Sequence, residues 1–448
     1  METITQTMEQ AKAAMETLFG PQADQLAKQS GAIRRHRKLS GRQLAAILTL
    51  GYWQDGQATR EALAQMAQVQ GVSISAPALQ QHLTQATSHF LEALLALGLR
   101  QVVASEPVAV PLLERFAVVW LEDSSQLSLP QELAQRWQAT GNQHTRQVPA
   151  GLKLHTALDL RSGQLWGPQL SDGRTADTQS PLREIALPPG SLRLRDRGYW
   201  QLDGFASWTL SEQYWISYVK FPLTLLDERQ ERLDLLKVLV AQREPVQEYA
   251  VLLGARTQVK ARLIAVRVPD AVIEQRQQLA QHKATQHGRR LSAVQQELAR
   301  WVLIVTNVPV HLLSSTEAVV LLRVRWQLEL FYKLCKSDAA QLDQWRARSP
   351  WAILCEVYAK LLGILLQHWL LLVGSWEDPF RSWKKTARFL RTLSHELARA
   401  LGGHGSLLAV LQEVRRCLAD GQGSRVTKRR QRPSTAQQLF DGLDWAVT

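Results

Sequence analysis

Residues Leu322 to Lys336, LRVRWQLELFYKLCK, decide how the rest of the chain is read. An α-helix turns about 100° per residue, so relative to Leu322 the side chains of Arg325, Glu329 and Lys336 fall at roughly −60°, −20° and −40°. A guanidinium, a carboxylate and an ammonium therefore share one narrow stripe. Such a stripe can hold a metal-binding carboxylate between two phosphate-binding cations, and a solvated face with spaced ion pairs gives the same pattern. Ser314, followed three residues later by Glu317, reads as a capping box that opens the helix.

Just upstream, Trp301 to Val308 (WVLIVTNV) is an apolar run of strand character. Before it lies a long insertion, about Leu225 to Arg300. The insertion is expected to start as a charged helix, pass through strand-like segments at Glu248 to Leu253 and Thr257 to Val268, and end in a Gln-rich basic helix. Further upstream, Phe116 to Leu121 (FAVVWL) fits a strand covered on both faces and ending in Glu122 and Asp123. Gln126 to Leu129 alternates as a separate paired strand, and Pro130 opens a short helix. Gly151 to Leu160 and Gln164 to Leu170 read as two strands joined by Arg161, Ser162 and Gly163. Leu192 to Leu194 forms a strand that runs into Asp196, followed by a helix near Leu202 and a strand from Tyr214. Strands and helices in this order make a mixed α/β sheet with helices on its faces. Ligands in open α/β sheets lie beyond strand ends, which gives weight to Asp123 and Asp196, although Asp is also common there as a turn former.

At the two ends the period is helical. Residues 1 to about 104 show no clear strand, and the prolines at Pro107 and Pro111 mark a boundary. Arg34, Arg35, His36, Arg37 and Lys38 precede Ser40, a helix cap, so this charge run suits phosphate binding as well as a solvated turn. Trp351 to Gly374 is the most apolar segment, but it contains Glu356, Lys360, Gln367 and His368 and reads as a buried core helix rather than a membrane span. Beyond it, Trp383, Lys384, Lys385, Arg388 and Phe389 interleave aromatics with cations, and the tail carries RVTKRRQR from Arg425 to Arg432.

Lys plus Arg exceed Asp plus Glu by 53 to 40, for a formal charge of +13 over 448 residues, which favours a polyanionic partner. Cys335, Cys355 and Cys417 are odd in number and unpatterned. Neither a disulfide framework nor a zinc site is expected, and a reducing cytoplasm fits. The N-terminus has early acids and no apolar stretch of signal-peptide type. No Gly-rich phosphate loop points to a nucleotide cofactor.

These residues support a family statement. Arg325, Glu329 and Lys336 reproduce the R-x3-E-x6-K spacing of the YREK signature of bacterial DDE transposases of the insertion-sequence-four family. Asp196-Arg197-Gly198-Tyr199 resembles that family's D-R-G-Y motif, Asp123-Ser124-Ser125 resembles its first-acid motif, and GLKLHTALDLRSG resembles the hairpin between them. The signature Tyr is replaced by Leu322, which can neither donate a hydrogen bond to a phosphate nor stack.

The resemblance implies a ribonuclease-H-like core in which Asp123, Asp196 and Glu329 are catalytic and bind two Mg²⁺ or Mn²⁺ ions, hard cations suited to carboxylates. Arg325 and Lys336, with Arg197 and Lys333 beside them, are then expected to bind DNA phosphate. Arg34, Arg35, Arg37, Lys38, Lys384 and Lys385 become further DNA contacts. Trp301 and Trp326 are candidates for stacking on a base, with core packing as the competing role.

The implied organisation is a helical DNA-binding domain (1–105), a catalytic core in two parts (106–224 and 301–374), the insertion (225–300), and a helical C-terminal region with a basic tail (375–448). The expected partners are double-stranded transposon ends and target DNA, bridged by a homodimer, with no membrane. A decayed transposase that only binds DNA, favoured by Leu322, and a different ribonuclease-H-like nuclease are the competing readings.

Overall fold

The computed structural model describes residues 2–34, 39–141, 148–241, 244–286, 288, 290, 292–336 and 340–419. Arg35, Arg37, Lys38 and the basic tail lie outside the described residues.

Nine strands form one mixed sheet in the order β3-β2-β1-β4-β5-β9-β8-β7-β6. They are β1 (Val119–Leu129), β2 (Ala150–Asp159), β3 (Leu165–Asp172), β4 (Leu192–Arg195), β5 (Tyr214–Tyr218), β6 (Leu225–Leu226), β7 (Val246–Leu253), β8 (Val259–Arg267) and β9 (Trp301–Thr306). Strands β1, β2 and β3 are antiparallel, and β4 and β5 run parallel to β1. This is the ribonuclease-H-like arrangement, and it joins the α/β class to the helical regions at both ends.

Two expectations change here. The apolar run and Gln126 to Leu129 are a single strand, so Asp123 sits mid-strand rather than at an end. The parallel ladder to β4 stops at Leu121, whereas the antiparallel ladder to β2 continues to Leu129. Asp123 thus lies just past the point where β1 loses its neighbour on one side. The insertion begins with the short β6 rather than a charged helix, and its strands β7 and β8 pair on to β9, extending the core sheet.

Among the described residues seven α-helices precede the sheet: α1 (Glu2–Leu18), α2 (Pro21–Ser30), α3 (Gly41–Gln54), α4 (Arg60–Val69), α5 (Ala76–Gln80), α6 (Gln85–Gly98) and α7 (Pro111–Glu114). Ser40 caps α3 in a reciprocal box with Gln43, and Ser75 caps α5. Helix α8 (Leu202–Leu210) follows β4. The insertion carries α9 (Leu235–Ala241), α10 (Asp270–Gln286) and α11 (Ala293–Leu298).

The segment Ser315 to Lys336 forms α12 (Ser315–Val324) and α13 (Trp326–Lys336), broken by one turn residue, Arg325. The expected capping box is present: the Ser314 hydroxyl accepts from the Glu317 N–H at 3.3 Å, and the Glu317 carboxylate accepts from the Ser314 N–H at 2.9 Å. Helix α14 (Pro350–Ser375) follows, then α15 (Trp383–Thr392), α16 (Ser394–Leu401) and α17 (Leu407–Ala419).

Helix α14 is apolar nearly all round because it is buried nearly all round, packing against α1, α3, α6, α15 and α17. Gly363 permits the approach of α3, since a Cβ there would meet that of Trp53 at 2.8 Å. The charges of α14 are satisfied inside the fold. The Lys360 ammonium contacts the Glu356 carboxylate at 2.8 Å, and both side chains are fully buried. Lys360 also donates to the carbonyls of Gln341 and Gln344, and Glu356 accepts from the N–H groups of Arg346 and Ala347. The pair thereby fastens residues 341–347 behind α13, and the Leu342 N–H closes on the Cys335 carbonyl at 3.0 Å.

Removing one partner of a buried ion pair leaves an uncompensated charge, so Lys360→Met is expected to cost about 3–5 kcal/mol. Urea unfolding, read as a shift in midpoint, checks this.

Candidate active site

Strand alternation sends Glu122 and Asp123 to opposite faces of β1. Glu122 goes to a buried face, where its carboxylate pairs with Arg195 and accepts from the Trp120 indole. Asp123 goes to the face covered by α13. There the Tyr332 hydroxyl donates to the carbonyls of Asp123 (2.9 Å) and Leu154 (3.2 Å), fixing α13 on β1 and β2 one turn from Glu329.

Asp196 follows β4 directly and leads into the short turn Arg197–Tyr199. The first-acid strand, the second-acid turn and α13 therefore meet at one place.

Arg325 occupies the centre of that place. Its guanidinium reaches Asp123 Oδ2 at 3.2 Å through Nη1, and both Asp196 Oδ1 (3.8 Å) and Glu329 Oε1 (3.0 Å) through Nη2. Two of the carboxylates touch the same nitrogen, so their separation cannot exceed the sum of those two distances. That is short enough for both to serve ions about 4 Å apart. The donor set, three carboxylates on rigid elements, suits a hard divalent cation. Among the described residues no three acids, histidines or thiols already surround a common point; the carboxylates turn to the guanidinium instead.

Burial pushes the Asp123 carboxyl up to about 6. Asp196 and Glu329 add to the rise, while the Ser124 N–H and Arg325 oppose it.

The other expected contacts divide. The Lys336 ammonium donates to the Gln126 carbonyl at 2.7 Å, and burial lowers its pKa. Lys333 lies 3.8 Å from the centre of the Trp326 ring, and Trp326, the first residue of α13, is 43% exposed. Trp301 is only 6% exposed and packs with Leu239, Leu263 and Val305, so of its two readings the structure takes core packing. Arg34, Arg197, Lys384 and Lys385 are exposed. Leu322, in the place of the signature Tyr, is 2% exposed within the main apolar core.

Sequence reasoning missed Asp177. It accepts from the Ser124 hydroxyl at 2.7 Å and pairs with the Lys153 ammonium at 2.6 Å. It also lies against Gly198, where a Cβ would meet its Oδ2 at 2.6 Å. Asp177 thus couples the residue after the first acid to the turn after the second. Its position at the start of a single 3-10 turn (Asp177–Gln179), far in sequence from its partners, leaves no periodic signal.

A family model described as a transposase DDE domain matches residues 115–366, a span that begins just before β1 and ends within α14. The chain belongs to the DDE transposase family. It is similar to the transposase for insertion sequence element IS231F of Bacillus thuringiensis subsp. israelensis, with 24% identity over 367 residues, covering 77% of this chain and 76% of that protein. The transposase for IS231D of Bacillus thuringiensis subsp. finitimus is likewise 24% identical over 367 residues, covering 77% and 75%. The InsL protein of insertion sequence element IS186A from Escherichia coli (strain K12) is 28% identical over 359 residues, covering 77% and 88%. The insertion and all three acids of this transposase-family chain fall inside the family match.

A raised folded-state pKa means that the fold disfavours the charged Asp123. The penalty begins as pH passes the ordinary value of 3.8 and is complete above about 6. Asp123→Asn removes it. In the metal-free protein this variant is expected to be more stable at pH 8, by up to about 3 kcal/mol, with no gain at pH 4. Thermal melts at the two pH values in EDTA check this; a variant that melts no higher at pH 8 would refute it.

Proposed function

We propose that this protein is a DNA transposase that cleaves phosphodiesters at the ends of its insertion sequence and joins them to target DNA. The reading rests on one observation above all: carboxylates from β1, from the turn after β4 and from α13 converge on a single guanidinium. Asp123, Asp196 and Glu329 would hold two Mg²⁺ or Mn²⁺ ions. When bound, such ions activate a water or a 3′-hydroxyl as nucleophile and stabilise the leaving oxygen.

The residues of the chain supply the rest. Tyr332 holds the backbone of Asp123, and Asp177 holds Ser124, so the first acid keeps its place as charge at the site changes. Arg325 and Lys336 now contact protein oxygens, and they exchange these for phosphate oxygens on DNA, Arg by its two-pronged fork and Lys as a point charge. Two copies of the chain would bridge the paired ends. The buried Leu322 favours a second reading, a transposase descendant that binds DNA without cutting it.

The decisive assay incubates the purified protein with Mg²⁺ or Mn²⁺ and DNA carrying its own element's ends, beside Glu329→Gln. Metal-dependent cutting is expected, reduced on the order of 100-fold or more in the variant. Specific binding without product establishes the second reading, and cutting that ignores the end sequence establishes a structure-selective nuclease.

A further inference from the structure

Strands β4 and β5 run parallel with Arg195 opposite Ser217, so the next residues along, Asp196 and Tyr218, emerge side by side at the same edge. Arg197 follows Asp196, and its guanidinium carbon lies 5.6 Å from the centre of the Tyr218 ring. From the insertion, Arg276 of α10 reaches the same corner. Its Nη2 donates to the Trp301 carbonyl at 3.1 Å on β9, the strand that pairs with β5.

The corner is rich in positive charge. Neither Arg197 nor Arg276 forms an ion pair with a carboxylate among the described residues, and the Tyr218 hydroxyl donates to no described acceptor. Arg276 is partly buried, and its pKa is lowered first by that burial and then by Arg197. Burial raises the Tyr218 pKa, and Arg325, Arg323 and Arg197 pull it back, with Asp196 as the acid opposing them. The charge of Arg325 is balanced by three carboxylates, which those of Arg197 and Arg276 are not. Like charges held together and partly out of water are costly unless an anion joins them.

We propose that Arg197, Tyr218 and Arg276 bind one backbone phosphate of DNA, and that this phosphate clamps the insertion to the catalytic sheet beside Asp196. The inference rests on the transposase reading and adds to the motif residue Arg197 two partners from outside the motifs, Tyr218 and Arg276. A diester oxygen accepts from the Tyr218 hydroxyl while the two guanidinium groups supply forked donors, a geometry suited to phosphate. Both sides of the clamp are rigid, since Tyr218 ends a strand and Arg276 is tied to Trp301.

The test measures binding of the full-length protein to DNA carrying its element's ends, in EDTA, across a series of KCl concentrations. Arg276→Gln is expected to lower the slope of log affinity against log salt by about 0.9, one phosphate contact. Its affinity is expected to fall roughly 3- to 10-fold at a fixed salt concentration. Tyr218→Phe, which removes a donor but no charge, weakens binding by a similar factor with the slope unchanged. Tyr218→Phe should melt no lower than the unmodified protein, since its hydroxyl has no described protein acceptor, whereas loss of a merely structural contact would lower the melting temperature; Arg276→Gln also gives up the bond to the Trp301 carbonyl, so it is judged by the salt slope. Unchanged affinity and slope in both variants, with the unmodified protein binding normally, overturns the clamp and leaves the transposase reading standing. Failure of the unmodified protein to bind the ends overturns both.

Discussion

The contact between Arg325 and three carboxylates is the constraint on which the rest of the site depends. Asp123 comes from a strand, Asp196 from a turn and Glu329 from a helix; the β1–β4 ladder brings the first two side by side, and Glu329 arrives from a separate element. Brought close without a cation they would repel; burial first, and then Asp196 and Glu329, push the Asp123 carboxyl up to about 6 against the pull of the Ser124 N–H and Arg325. A guanidinium is a fitting centre because its fixed planar fork serves several acceptors at once and it does not deprotonate. Arg325 can play this part because the helix breaks there. As the turn residue between α12 and α13, it points its side chain to the same side as Glu329 while standing one step outside the regular helix.

The frame around this contact is built so that the acids cannot drift apart. Tyr332 fixes the carrier helix to two strands, Asp177 links the first-acid strand to the second-acid turn, and the buried Glu356–Lys360 pair secures the chain leaving α13. Each is a polar interaction placed where apolar packing alone would permit sliding. Packing sets the distance between layers, and these directional bonds set the register. Strands from the insertion continue the core sheet through β8 and β9, and Arg276 of α10 is tied to that sheet at the Trp301 carbonyl.

What the sequence disclosed and what it hid follow from the range of the forces involved. The α13 stripe, the Ser314 cap and the strand ending at Asp196 were legible because periodicity and capping act within a few residues. The extension of β1 beyond Asp123 was not, because it depends on pairing with β2, whose residues begin at Ala150. Trp301 and Trp326 look alike as letters, yet one lies inside the core and the other is exposed, a difference set by which element covers each. Asp177 and Tyr218 carried no signal, since their partners lie on other strands, turns and helices. The all-round apolar character of α14 announced its burial correctly but not that helices from both ends of the chain would supply the cover.

The Leu322 substitution can be weighed against this frame. Leu322 lies in α12, on the helical turn before Arg325, buried in the main core. Leucine at such a position gains apolar burial and needs no hydrogen-bond partner, whereas a phenol there would have to carry its hydroxyl to the edge of the core. The change therefore strengthens the seat of α12 at the loss of one possible donor to a phosphate. It removes none of the charge on which the acids depend, because Arg325, Glu329 and Lys336 all remain in contact with the sheet or with each other. A phenol does stand near Arg325, supplied by β5 rather than by α12, as Tyr218.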